Sequence, residues 1–236
     1  MSELSLAERL LVKNNILPSW YELLKPIVTE DDFYQILSGI SNDMPNVTPA
    51  TEDIFAVFRY IAVQDIRVII LGQGPYPQPN VATGIAYGNV ITSPELSPSL
   101  SIIMDELIET ELITNEFNFF QNIDLLHWCE QGVLLLNTSL TTRLNQPGAH
   151  KKLWKPFMEK LLVQLDKENL IVVMTGNQAQ AHSHCFTKAK HKIKVAHPAA
   201  DTFNNNRKFR GSKVFLKINN ALQEMKMSVI NWQGKI

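Results

Sequence analysis

At 236 residues and 26.8 kDa the chain is sized for one globular domain, and a hydrophobic content of 45% supplies a sizeable core. A formal net charge of −1 excludes a nucleic-acid binder that works through bulk charge alone. Two cysteines exclude a disulfide scaffold, and no apolar run reaches the roughly 18 residues of a membrane span.

The expected organisation is a single domain over residues 1–236, mainly helical from 1 to about 60. The N-terminus, MSELSLAERLLVKNN, carries acids where a secretory leader would carry bases. With so few cysteines, the expected location is the cytoplasm, or the nucleus or a viral replication site in a eukaryotic cell. From Leu4 to Ile40 apolar and charged residues alternate at helical spacing, broken by Pro18 and Pro26, which predicts two or three helices. Asp43–Pro49 (DMPNVTP) reads as a loop.

Four short apolar runs follow: Arg67–Leu71 (RVIIL), Val133–Leu136 (VLLL), Ile171–Met174 (IVVM) and Lys192–Val195 (KIKV). Helical patterns lie between them at Pro98–Leu112, Phe119–Gln131 and Lys155–Leu165. Such alternation predicts an α/β three-layer sandwich with a central four-stranded parallel sheet flanked by helices. Ligands of such sheets bind beyond the C-terminal ends of the strands, so the residues after each run are the candidates.

The first run leads into Gly72-Gln73-Gly74-Pro75-Tyr76-Pro77-Gln78-Pro79. Its glycines are not spaced as a dinucleotide fingerprint, and it lacks the Gly-Lys-Ser/Thr of a P-loop. Its prolines stiffen it, as either a rigid pocket wall holding Gln73 and Tyr76 or an ordinary Pro-rich turn. The second run ends in Asn137, whose amide can read an adjacent acceptor and donor or can close an Asx-turn. Thr175-Gly176-Asn177 after the third run either offers backbone N–H groups to a phosphate or makes a simple βα turn. His197, held extended before Pro198, is either a neutral donor to a developing anion or a residue satisfied by its surroundings. His182, His184 and Cys185 lack a fourth ligand, and a solvated helix accounts for them better than a metal. Charge is uneven: nine Lys or Arg against Asp201 alone between His182 and Lys217 predict a basic patch that meets phosphates.

The conjunction is more specific than any one motif. GQ-x-PYP, TGIAYG (Thr83–Gly88), SPSL (Ser97–Leu100), EQGVLLLNTSLTTR (Glu130–Arg143), MTGNQAQ (Met174–Gln180), HPAA, FRGSKVF (Phe209–Phe215) and INW (Ile230–Trp232) stand in the order and spacing of family 1 uracil-DNA glycosylases. The chain resembles that family from about Arg67 to Trp232. HPAA and PYP are similar to poxviral members.

The resemblance implies hydrolysis of the N-glycosidic bond of deoxyuridine flipped out of DNA, in base excision repair, by a monomer without cofactor or metal. It implies that Gln73 lies beside uracil, Tyr76 crowds C5 against thymine, Tyr87 stacks on the base and Asn137 reads O4 and N3. It gives His197 the task of stabilising charge on O2. Ser99, His150, Gly176 and Thr202 fall among its DNA-gripping positions. Three departures stand out, one of them a loop at Phe203-Asn204-Asn205-Asn206 that is about two residues longer than the family's. The family motif reads GQDPY, its Asp orienting water and steadying the cationic sugar, and here that position is Gly74. The family's minor-groove wedge falls on Asp201, leaving Phe203 as the substitute wedge. The partner implied is uracil-containing DNA, with a glycosylase inhibitor or a replication protein as further partners. Gly74 predicts reduced activity. The alternative is a catalytically weak or inactive relative that grips uracil-DNA or a protein partner, as poxviral members do in polymerase processivity.

Overall fold

The computed structural model describes residues 15–25, 30–92, 95–203 and 208–234; within them, the side chains of residues 30, 32, 33 and 203 are not described. Four parallel strands form the sheet: β2 (Val68–Gly72), β3 (Val133–Asn137), β5 (Ile171–Thr175) and β6 (His191–Val195). Their spatial order is β3-β2-β5-β6. A separate antiparallel pair joins β1 (Val47–Thr48) to β4 (Thr142–Arg143). β2, β3 and β5 are buried along their whole length, which is why each reads as an unbroken β-branched or leucine run. β6 is an edge strand, and its alternating Lys192 and Lys194 face outward.

The register aligns the strand ends. Gly72 lies opposite Asn137, Leu71 opposite Met174, and Thr175 opposite Val195. The loops after the four strands therefore open on one edge. The chain reverses its direction across the sheet beside β2, where an open α/β sheet forms its crevice.

Helices flank the sheet. Ile70 and Val173, paired in register, share a small void with Trp128, Val214 and Phe215. Trp128, Phe215 and Trp232 meet with ring centroids 4.9–5.6 Å apart. Elsewhere the helix Lys151–Leu165 buries Trp154, Phe157, Met158, Leu161, Leu162 and Leu165 at helical spacing. This helix begins four residues earlier than its sequence pattern predicts, because Pro156 is carried inside it rather than near its start. The predicted helix Phe119–Gln131 is instead two short helices, Glu116–Phe120 and Leu126–Cys129. Leu125, at φ 61°, breaks the run between them.

In the N-terminal region the helices Pro18–Leu24 and Glu30–Ser41 follow the predicted breaks, while residues 1–14 lie outside the described part. Trp20 is fully buried and donates its indole N–H to the Ile61 carbonyl at 2.6 Å, which docks this region on the sheet domain. Among the described residues, no helix is long and apolar enough to cross a membrane.

Candidate active site

A cleft of about 640 Å³ opens at the C-terminal edge of the sheet, within the size range of small-molecule sites. The loop after β2 supplies one wall through Gln73, Gly74, Pro75, Tyr76, Pro77 and Gln78. Tyr87, Pro98 and Ser99 supply a second, and Pro147 with Gly148 a third. His197, Ala199 and Thr202 close it from the loop after β6. Its titratable lining groups, among the described residues, are Tyr76, Tyr87 and His197, with no carboxylate and no Lys or Arg.

The Gln73 loop is fixed by hydrogen bonds as well as by its prolines. The Gln73 carbonyl accepts from Thr138 Oγ1 at 2.9 Å and from Gln178 Nε2 at 3.2 Å. Thr138 also donates its N–H to Gly72 at 3.0 Å, continuing the β2–β3 ladder past its end. Gln73's own amide reaches toward Gly148, which has φ +78° and packs without a Cβ.

Tyr76 donates its hydroxyl to the Tyr87 carbonyl at 3.0 Å. Tyr87 donates in turn to Thr175 Oγ1, whose own proton goes to the Leu71 carbonyl at 2.6 Å. Burial holds both phenols well above the usual tyrosine range, so both are neutral donors.

Burial also pushes the His197 imidazole down to about 4, so the ring is neutral at pH 7. The Ala199 N–H donates to His197 Nδ1 at 3.2 Å, which places the ring proton on Nε2. The loop thus puts a neutral imidazole, with Nδ1 already occupied, in the lining of the cleft. Gly176, at φ +78°, lies against His197: a Cβ there would stand 2.9 Å from the His197 Cβ. Tyr87 lies beside it, ring centroids 5.9 Å apart.

Gly74 has an ordinary backbone conformation, outside the left-handed region. A Cβ added to it would meet only Ser139, at 3.7 Å, which is normal contact. Nothing in the packing demands glycine there.

Of the residues singled out in the sequence, the cleft brings together Gln73, Gly74, Tyr76, Tyr87, Ser99, His197 and Thr202. Asn137 is buried beneath it rather than in its lining, its amide oxygen against Gly72, where a Cβ would stand 2.6 Å away. Three others serve inward. His150 is buried, with Nδ1 on Thr141 Oγ1 and Nε2 on the Asp43 carboxylate, both at 2.8 Å. Gly176 makes room for His197. Asp201, read as the wedge position, is turned into the protein: its carboxylate accepts the N–H groups of Lys208, Phe209 and Arg210 at 2.7–3.1 Å. Desolvation works against that charge, but the three backbone donors outweigh it and hold its pKa below the usual range. The carboxylate at the family's wedge position is thus a clamp on its own loop, held by three converging backbone donors. The Phe203 side chain lies outside the described part. The His182–Cys185 cluster forms no metal group among the described residues.

Residues 58–223 match the model of the uracil DNA glycosylase superfamily. The chain belongs to that superfamily. It is 38% identical over 193 residues to the uracil-DNA glycosylase of Shouchella clausii (strain KSM-K16), covering 79% of each chain. It is 36% identical over 222 residues to that of Alkaliphilus oremlandii (strain OhILAs), covering 91% of this chain and 95% of the other. The crystal structure of mimivirus uracil-DNA glycosylase superposes with a TM-score of 0.81 at 25% identity, covering 94% of this chain and 88% of that one. The superfamily binds DNA and acts on N-glycosyl bonds. Within this glycosylase fold, Thr138 and Gln178 were not singled out by the sequence, and Thr175 was read only as part of a turn, not for its hydroxyl. Each stands inside a quoted motif, but its role depends on which carbonyl or ring lies across the sheet edge.

Proposed function

We propose that the protein is a uracil-DNA glycosylase that hydrolyses the N-glycosidic bond of flipped-out deoxyuridine, slowed by the loss of a carboxylate at position 74. The observation that carries this reading is His197: a neutral ring, its Nδ1 occupied by the Ala199 N–H, in the lining of an uncharged cleft with Gln73, Tyr76 and Tyr87. As the glycosidic bond breaks, negative charge grows on the base and positive charge on the sugar. A preorganised neutral donor stabilises the base anion without first attracting a proton or a counter-ion. Tyr87 and Tyr76 bound the base, Tyr76 standing against a 5-methyl group, and Asn137 reads the polar edge from below. Ser99 and Thr202, in the cleft lining, grip the DNA strand with the basic C-terminal stretch.

The sugar side has no such help. No described lining residue is Asp or Glu, and Asp201 is occupied by backbone donors. Water therefore attacks without a positioned base. That same observation favours a second reading, a uracil-DNA-binding module with little cleavage, with a protein inhibitor or replication protein as a further partner. A single-turnover assay on uracil-containing single-stranded DNA, run beside a binding measurement, separates them. Slow uracil release, absent from thymine DNA, is expected. Tight uracil-specific binding with no release selects the binding module, and neither binding nor release refutes both.

A further inference from the structure

The end of β5 carries a polar side chain that the proposed chemistry leaves unused. Thr175 is buried, yet its hydroxyl sits between two elements of the site. Its proton is committed to the Leu71 carbonyl at 2.6 Å, so its oxygen faces Tyr87 as an acceptor. The result is a directed relay, Tyr87 O–H to Thr175 O–H to the β2 backbone, across the two central strands.

Tyr87 needs such a hold. Its backbone lies at φ 68°, a left-handed conformation that a bulky side chain rarely adopts. Its carbonyl is tied by Tyr76 and its hydroxyl by Thr175. Tyr87 lines both the cleft and a void of about 10 Å³ that it and Thr175 share with Ile70, Trp128, Val173 and Phe215. That void is at or below the space of one water and is apolar, so a freed phenol finds neither room nor a partner there. A ring released from Thr175 moves toward the cleft.

We propose that Thr175 is a positioning residue for base recognition: its hydroxyl anchors the Tyr87 phenol and so fixes the ring on which the base rests. This rests on the uracil-binding reading of the cleft. Thr175 touches no substrate; it acts through Tyr87. The neighbouring Gly176 leaves space for His197, so one strand end sets both the platform and the donor.

The test uses the full chain and free uracil as probe, with four variants: Thr175→Val, Thr175→Ser, Tyr87→Phe and the Thr175→Val/Tyr87→Phe pair. Valine keeps the shape of threonine and strands a buried phenol. Thr175→Val is therefore expected to weaken uracil binding about tenfold and to raise KM more than it lowers kcat. Serine restores the hydroxyl and binds within about twofold of the parent. The double variant binds better than Thr175→Val alone, because no phenol is left unpaired; a role in folding alone would make the two losses add. Parent-like uracil binding by Thr175→Val, or a double variant weaker than Thr175→Val, overturns the proposal. The ring position in a crystal structure of Thr175→Val gives an independent readout. If the parent itself does not bind uracil, the functional reading fails, and an unmoved Tyr87 ring in that variant still overturns the positioning claim on its own.

Discussion

Restoring a carboxylate at position 74 probes the central gap in this site. Gly74→Asp adds a Cβ that meets Ser139 at 3.7 Å and no other atom within 4 Å, on a backbone that any residue can adopt. Folding is therefore expected to tolerate it, and loss of glycine's unfolded-state freedom alone adds about 0.4–1 kcal/mol of stability. The new carboxylate enters a cleft whose described lining has no other acid, on the loop held by Thr138 and Gln178. A positioned base contributes roughly 10²–10⁴-fold, or about 3–5 kcal/mol of transition-state stabilisation. The single-turnover cleavage rate on uracil-containing DNA should rise by that factor, while affinity changes less than about tenfold. Gly74→Ala and Gly74→Asn, with the same Cβ and no charge, should stay slow. Two results refute the reasoning. One is a parent protein already as fast as Gly74→Asp, which means another group supplies the base. The other is an inert Gly74→Asp that still binds uracil-DNA, which transfers the protein to the binding-module reading.

Four further outcomes are expected. Asn137→Ala should weaken uracil-DNA binding by about 1–3 kcal/mol in a fluorescence titration, and parent-like affinity would remove Asn137 from base recognition. His197 binds a proton less readily folded than unfolded, so its contribution is complete above about pH 6.5 and is lost as pH falls toward about 4. Urea unfolding across that window should show roughly 2–3 kcal/mol less pH dependence in His197→Asn than in the parent, and cleavage should fall as pH drops through about 4. Asp201→Ala leaves the Lys208, Phe209 and Arg210 N–H groups without their acceptor, at a cost of about 1–3 kcal/mol; an unchanged Tm would show that the clamp is idle. DNA affinity should fall steeply between about 50 and 200 mM salt, and a flat response would take the Lys188–Lys217 stretch out of phosphate binding.

The sequence by itself determined the strands and the loops that follow them. β2, β3 and β5 are buried on both faces, and burial of that kind writes a short unbroken apolar run that is visible in the sequence without any period. Gln73, Tyr76 and His197 were legible because each sits within a few residues of a strand end, and a parallel sheet brings those ends to one edge; Tyr87 and Ser99 were legible only through the motifs that carry them. Gly74 was legible too, as a missing side chain in an otherwise intact motif. Tertiary structure alone decided which way Asp201 and His150 turn, because that depends on hydrogen-bond partners 7 to 107 positions away in the chain. It alone decided the state of His197: burial sets its charge, and the Ala199 N–H sets its tautomer. The Tyr87–Thr175 contact spans 88 positions and links two motifs that read as independent. Hydrophobic pattern is a local record of burial, whereas a hydrogen-bond partner is chosen by the fold, and the chemistry of this cleft is carried by partners.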